Sequence, residues 1–124
     1  MAVQLDFQTF IEGLRAPGMP LIAPDRFAEA LHLRQQELAQ LARVHRTTVA
    51  DAPANARLQQ YMRDALRVLS AASETGGERA HAIDWYRNAP IPEFEHRTAE
   101  QLVSAGKADA VISYLLSTGG GSTG

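Results

Sequence analysis

The sequence predicts an all-α fold: an N-terminal helix-turn-helix lobe joined by a long helix to a small helical C-terminal lobe. Apolar residues recur at three- and four-residue intervals in successive segments, no segment alternates as a half-buried strand would, and Pro and Gly separate the segments. With 124 residues, 45% of them hydrophobic, the chain has the size of one domain or of two small lobes that share a core. Because such a chain buries a limited fraction of its surface, dimerisation would add stability.

The first 24 residues are predicted to form an N-terminal arm. Apolar residues from Leu5 to Leu14 fall at helical spacing and indicate a leading helix. Helix-breaking residues then punctuate the chain at Pro17, Gly18, Pro20 and Pro24. Asp25 is expected to cap the next helix, whose apolar side contains Phe27 and Leu31.

The segment Gln35 to Ala52 has the spacing of a helix-turn-helix. Ala39 is small where two crossing helices approach closely, and Leu38, Val44 and Val49 stand where the pair buries its shared face. Arg43 occupies the position at which the tight turn usually has glycine. A left-handed backbone there would cost about 1 kcal/mol.

A long helix is predicted over residues 55 to 73, because seven apolar residues form one stripe at a spacing of 3.6. The stripe consists of Leu58, Tyr61, Met62, Ala65, Leu66, Leu69 and Ala72. Gly76 and Gly77 are expected to end this helix. They mark the boundary between a lobe over residues 25 to 75 and a lobe over residues 76 to 118.

The C-terminal lobe is predicted to contain three helices. The first contains Ala80 to Tyr86, and a proline-containing loop after it positions Phe94 over the core. Thr98 and Gln101 form a capping box at the start of the second, and Gly106 closes that helix. The last helix runs through Ala108, Val111, Ile112, Leu115 and Leu116. Residues 119 to 124, rich in glycine, are expected to form a flexible tail.

Composition argues against several classes of protein. The chain has no cysteine, and its four histidines include no His-x-x-x-His pair, so we expect no metal and no cofactor. No paired catalytic carboxylates, nucleophile elbow or phosphate-binding loop is recognisable, which indicates that the protein is not an enzyme. A basic leader and a long apolar run are also missing, so we expect a cytoplasmic protein without membrane contact.

Charge is distributed unevenly along the chain. The formal net charge is −2, but the segment from Arg34 to Arg67 has a net charge of +3, and the segment from Glu74 to the end has −3. A basic segment within an acidic protein suggests two surfaces with two different partners.

The basic segment contains the candidates for contact with operator DNA. The second helix of the helix-turn-helix would present donor-rich side chains at its N-terminal end, where such helices meet base edges and phosphates. The candidate residues are Gln36, His45, Arg46, Thr47, Thr48 and Arg57. Pro53 cuts this helix short, and Asp51 places a negative charge near its end, where it would repel the phosphate backbone.

Four motifs in the C-terminal lobe carry a family resemblance. In order they are Ala82-Ile-Asp-Trp-Tyr-Arg87, Pro90-Ile-Pro-Glu-Phe94, Thr98-Ala-Glu-Gln-Leu-Val103 and Gly106-Lys-Ala-Asp-Ala-Val111. The region from about 79 to 117 resembles the toxin-binding domain of the MbcA/ParS/Xre antitoxins of RES–Xre-like type II toxin–antitoxin systems. The resemblance implies an N-terminal lobe that represses its own operon. It also implies a C-terminal lobe that covers the active site of a cognate toxin, commonly a RES-domain protein that degrades NAD.

Five residues are candidates for contact with that toxin. Cations would engage acidic or polar groups around a pocket built for phosphates, and an aromatic or apolar residue on the last helix would anchor the contact. The candidates are Arg87, Arg97, Lys107, Tyr114 and Leu116. We expect a homodimer or a larger toxin–antitoxin assembly. Two alternatives remain open: a stand-alone transcriptional regulator whose C-terminal lobe only dimerises, and an adaptor that has lost DNA binding.

Overall fold

The protein is described by a computed structural model that covers residues 2 to 16, 20 to 74 and 78 to 117, with side chains from residue 8 onward. These residues form eight α-helices and one 3₁₀ turn. The described ranges contain no β-strand, only two isolated antiparallel bridges that pair Arg15 with Ile22 and Ile91 with Arg97. The all-α prediction is therefore confirmed.

The helices follow one another with short connections. Their bounds are α1 Ala2–Gly13, α2 Pro24–Ala30, α3 Gln35–Ala42, α4 Arg46–Asp51, α5 Ala56–Glu74, α6 Arg79–Asn88, the 3₁₀ turn Pro92–Phe94, α7 Ala99–Ser104 and α8 Ala108–Leu115. None of these described helices has both the length and the apolar character needed to cross a membrane.

Helix α5 is the centre of the fold and packs against α1, α3, α6, α7 and α8. Eleven of its nineteen residues are buried. The predicted stripe is confirmed, since Leu58, Met62 and Leu69 are completely buried and Leu66 is 5% exposed. Asn55 caps the helix, because its side-chain oxygen accepts a hydrogen bond from the Leu58 N–H at 3.0 Å.

A single hydrophobic core runs through the described chain, from Leu14 to Leu115. Residues on both sides of the predicted lobe boundary contribute to it. The glycine pair at 76 and 77 and the tail over 119 to 124 lie outside the described residues.

The N-terminal segment is part of this core. Helix α1 packs on α5, and Leu14 and Ile22 are both buried. The buried Gln59 side chain holds the backbone of Ile22, accepting from its N–H at 3.1 Å and donating to its carbonyl at 2.9 Å. The same amide donates to the Pro53 carbonyl at 2.8 Å. Pro17 and Gly18, predicted to punctuate the segment, lie outside the described residues.

The ends of the helices correct one prediction and confirm another. Asp25 does not cap α2: the N-cap is Ala23, and Pro24, whose fixed φ suits a first helical position, begins the helix. Thr98 and Gln101 do form the predicted capping box. The Thr98 hydroxyl accepts from the Gln101 N–H at 3.1 Å, and the Gln101 side chain accepts from the Thr98 N–H at 2.9 Å.

Candidate functional sites

Helices α3 and α4 pack together across a tight left-handed turn. Arg43 has φ 61° and ψ 45°, and the Val44 N–H closes the turn on the Ala39 carbonyl at 3.0 Å. Leu38 and Ala39 are buried on α3, and Val49 is buried on α4. The spacing of the sequence predicted the burial of Leu38 and Val49 and the close approach of the helices at Ala39.

The candidate DNA contacts differ in exposure. His45, Arg46 and Thr47 are exposed at the N-terminal end of α4, whereas Thr48 is half-buried. Gln36 is exposed on the first turn of α3. Within the described ranges, no side-chain hydrogen bond or ion pair engages His45, Arg46 or Thr47. These three side chains are therefore free to contact another molecule.

Arg57, the sixth DNA candidate, supports the turn. Its Nη1 donates to the Arg43 carbonyl at 3.3 Å. Arg43 in turn donates from Nε to the Ser104 carbonyl at 2.9 Å, at the last residue of α7. A cation at that position is favourable because the free carbonyls of a helix C-terminus carry partial negative charge. The Ser104 hydroxyl donates back to the Leu41 carbonyl at 2.6 Å, so α3 and α7 are joined in both directions.

The first toxin candidate, Arg87, lies in an internal network. Its side chain is 24% exposed and donates from Nε to the Glu100 carboxylate at 2.9 Å. Its Nη1 donates to the carbonyls of Leu31 at 3.1 Å and His32 at 3.2 Å, just after α2. These contacts join α6, α7 and the end of α2, which favours a structural role for Arg87 over contact with a toxin. Burial raises the pKa of the Glu100 carboxyl, and the neighbouring Arg87 opposes that shift.

A buried pair of phenols lies in the same part of the core. The hydroxyl oxygens of Tyr61 and Tyr86 are 3.0 Å apart, and both rings are buried. Burial raises the pKa of both groups, so they remain neutral and share a hydrogen bond. The ring of Phe27 meets Tyr61 edge-on, with centroids 6.2 Å apart. Tyr86 is thus a core residue.

Two of the other toxin candidates, Tyr114 and Leu116, lie on different flanks of α8. Tyr114 is half-buried and packs edge-on against Phe94, with ring centroids 5.9 Å apart. Leu116 is 61% exposed and lies one helical turn beyond Ile112 on the opposite flank, beside α5. Val111 and Leu115 are buried between the two flanks. Tyr114 and Leu116 therefore cannot belong to one continuous patch.

The two other cations also lie apart from Leu116. Arg97 is half-buried, donates to the Phe94 carbonyl at 3.3 Å and pairs with Glu95 at 3.4 Å. Lys107 is exposed just before α8. The structure thus brings Arg97 near Tyr114 through their shared contact with Phe94. Arg87 belongs to the network with Glu100, Leu31 and His32, and Leu116 lies on the flank of α8 opposite Tyr114.

Comparison with known proteins adds no relative. No protein-family model, no curated protein and no solved structure matches this chain. Across the described ranges, no three His, Asp or Glu side chains come together as metal ligands would.

Proposed function

We propose that this chain is the cytoplasmic antitoxin of a toxin–antitoxin pair. It binds the operator of its own operon through α3 and α4, and it neutralises a RES-type, NAD-degrading toxin through its C-terminal helices. The chain itself catalyses nothing in this proposal, because the NAD-degrading activity belongs to the partner. The order of the four motifs between Ala82 and Val111 supports the choice of family.

One observation carries the DNA-binding half of the proposal. His45, Arg46 and Thr47 are three consecutive exposed side chains that make no hydrogen bond or ion pair within the described structure. They lie at the end of α4 that a helix-turn-helix inserts into the major groove. The packing of α3 and the anchored turn fix their position. Arg46 has the donor geometry to read guanine, and Thr47 contacts bases or phosphates.

The toxin-binding half is supported by the exposed residues of the last helix. Leu116 is mostly exposed although it is a large apolar residue, and Lys107 is an exposed cation at the other end of α8. An apolar anchor with a peripheral cation is a common arrangement for contact with a partner protein.

A gel-shift titration with the DNA upstream of the gene tests the DNA-binding half. The affinity should fall steeply as salt increases, since contacts to phosphates release counterions. Arg46→Ala should weaken binding by about 1–3 kcal/mol. Arg97→Ala, which removes an arginine from the Phe94 region, is the matched control and should leave the affinity unchanged.

The adaptor alternative is favoured by the short α4. This helix has six residues and ends at Asp51, whose exposed carboxylate would face the phosphate backbone. Promoter affinity that does not respond to Arg46→Ala at any salt concentration would favour the adaptor. Specific promoter binding without protection of cells that express the RES-type toxin of the same operon would favour a stand-alone regulator.

A further inference from the structure

A groove of about 550 Å³ lies between α1, α5 and α8. Its lining follows α5 from Gln59 to Glu74, a length of about 22 Å at 1.5 Å per residue. Its apolar lining includes Ile22, Leu66 and Ala71, which are buried at its floor. It also includes Ile11 and Ile112, which are partly exposed, and Leu116, which is exposed. A groove of this length fits a segment of protein better than a small molecule.

Leu116 lies in the lining of this groove and is 61% exposed. Among the residues whose side chains are described, it is the single large apolar residue that is mostly exposed. Its burial by another molecule would be favourable, by the usual gain for removing apolar area from water. The groove and Leu116 together form one unfilled apolar surface.

Two of the charged residues in the lining have no partner of opposite charge among the described residues. Arg63 donates to Gln60 at 3.2 Å but reaches no carboxylate in the described part of the chain. Glu74 reaches no cation there. By contrast, Arg67 is neutralised by Asp64 at 3.1 Å and Asp109 at 2.7 Å. Arg63 and Glu74 are eleven residues apart on one face of α5, about 16 Å along the helix.

We propose that a second copy of this chain covers the groove, related by a two-fold axis that crosses α5 midway between Arg63 and Glu74. Antiparallel pairing brings Arg63 of each copy to Glu74 of the other, so that both charges are compensated twice. Leu116 from each copy enters the groove of the other.

Charge distinguishes a second copy from other occupants. A uniformly acidic partner would satisfy Arg63 but would be repelled by Glu74, whereas the chain's own surface complements both residues. The C-terminal residues 118 to 124 contain no apolar side chain, so they offer nothing to fill an apolar groove. This proposal is independent of DNA binding, but it shares Leu116 with the proposed toxin contact, so the toxin and the second copy would compete for that residue.

Sedimentation velocity of the full chain over a wide range of concentration tests the proposal. We expect a reversible monomer–dimer equilibrium. Arg63→Glu and Glu74→Arg should each weaken the dimer about tenfold or more, because each replaces two attractions by two repulsions. The double variant, which restores opposite charges in reversed order, should recover the dimerisation constant to within about threefold.

Leu116→Asp should abolish the dimer, because it places a carboxylate in the apolar groove. Arg46→Glu and Glu29→Arg, charge reversals at exposed positions outside the groove, are the matched controls and should leave dimerisation unchanged. All the substituted side chains are exposed, and circular dichroism should show the same helix content in each variant.

Three results would overturn the proposal. The first is a monomer at every concentration. The second is a dimer that the three groove variants do not weaken, or one that the double variant fails to restore. The third is a monomer that dimerises only after removal of residues 118 to 124, which would make the tail the occupant of the groove.

Discussion

Helices α4 and α5 follow each other in sequence and contribute to the protein in opposite ways. Eleven of the nineteen residues of α5 are buried, whereas α4 buries only Val49 among its six. Helix α5 is thus held by packing on several sides, and α4 is held by its neighbour α3 and by an anchored turn. The residues that stabilise the fold and the residues proposed for recognition therefore lie in different helices.

Four arginines show the same separation between residues that stabilise the fold and residues that are free for recognition. Arg43, Arg57 and Arg87 donate to carbonyl or carboxylate groups of the chain itself. Arg46, which is exposed, makes no such contact in the described residues. Substitutions at these positions should therefore change stability in the first group and recognition in the second.

The largest effect on stability is expected in α5. Leu69 is completely buried, so Leu69→Ala should lower the free energy of unfolding by about 2–5 kcal/mol, through lost apolar burial and a residual cavity. Thr47→Ala, on the exposed end of α4, should change it by no more than about 0.5 kcal/mol. Urea unfolding monitored by circular dichroism measures both. A loss below about 0.5 kcal/mol for Leu69→Ala would contradict the central role of α5.

A smaller effect is expected where Arg87 joins three elements. Arg87→Met leaves the Glu100 carboxylate and two carbonyls without their donor, and should cost about 2 kcal/mol, since the pair is partly exposed. Arg46→Met is the matched control and should leave stability unchanged. Equal stability of the two variants would show that the internal network contributes nothing.

The cost of Arg87→Met should also depend on pH. Burial raises the pKa of Glu100, and Arg87 offsets part of that rise. The variant removes the offset and should therefore raise the pKa further. When the pKa of a carboxyl is higher in the folded than in the unfolded protein, the folded state binds the proton more tightly. The protein then loses stability as the pH rises from the pKa of the unfolded chain to that of the folded one. The loss should therefore be larger at about pH 7 than at about pH 4. A loss that is the same at both pH values, or larger at the lower one, would contradict this account of Glu100.

The smallest effect concerns the left-handed turn between α3 and α4. Arg43→Gly and Arg43→Ala both lose the hydrogen bond to Ser104, but only glycine relieves the positive φ. The glycine variant should therefore be about 1 kcal/mol more stable than the alanine variant. Thermal unfolding compares the two, and equal midpoints would show that the turn relaxes without strain.

The sequence predicted the periodic parts of the fold, because a buried helical face leaves a regular pattern of apolar residues. The stripe on α5 and the capping box of Thr98 are examples. Gly106 was predicted to close a helix, and it has φ 82° next to the end of α7. His32 has φ 59° just after α2, where its N–H donates to the Glu29 carbonyl at 3.2 Å and the Leu33 N–H donates to the Ala28 carbonyl at 2.7 Å. Gly106 and Lys107 make the corresponding pair of hydrogen bonds after α7, yet nothing in the residue type of His32 signals such an end.

Long-range polar contacts left no signal in the sequence. Gln59 holds Ile22 from 37 positions away, and Arg43 reaches Ser104 across 61. Every residue has a backbone carbonyl, so a side chain that donates to one does not restrict which residue type stands there. The sequence therefore contains no pattern that marks such a pair. For the same reason the sequence could not separate the free Arg46 from Arg57 and Arg87, whose donors are used inside the chain.

The most direct test of the separation between recognition and stability is a reciprocal experiment on the full-length protein. Arg46→Ala and Leu116→Asp are compared with the parent chain for promoter affinity and for protection of cells that express the RES-type toxin of the same operon. We predict that Arg46→Ala loses promoter affinity and still protects. We predict that Leu116→Asp loses protection while its unfolding midpoint stays unchanged at a concentration at which the parent chain is a monomer. Loss of both functions in Arg46→Ala, with an unchanged unfolding midpoint, would contradict the account.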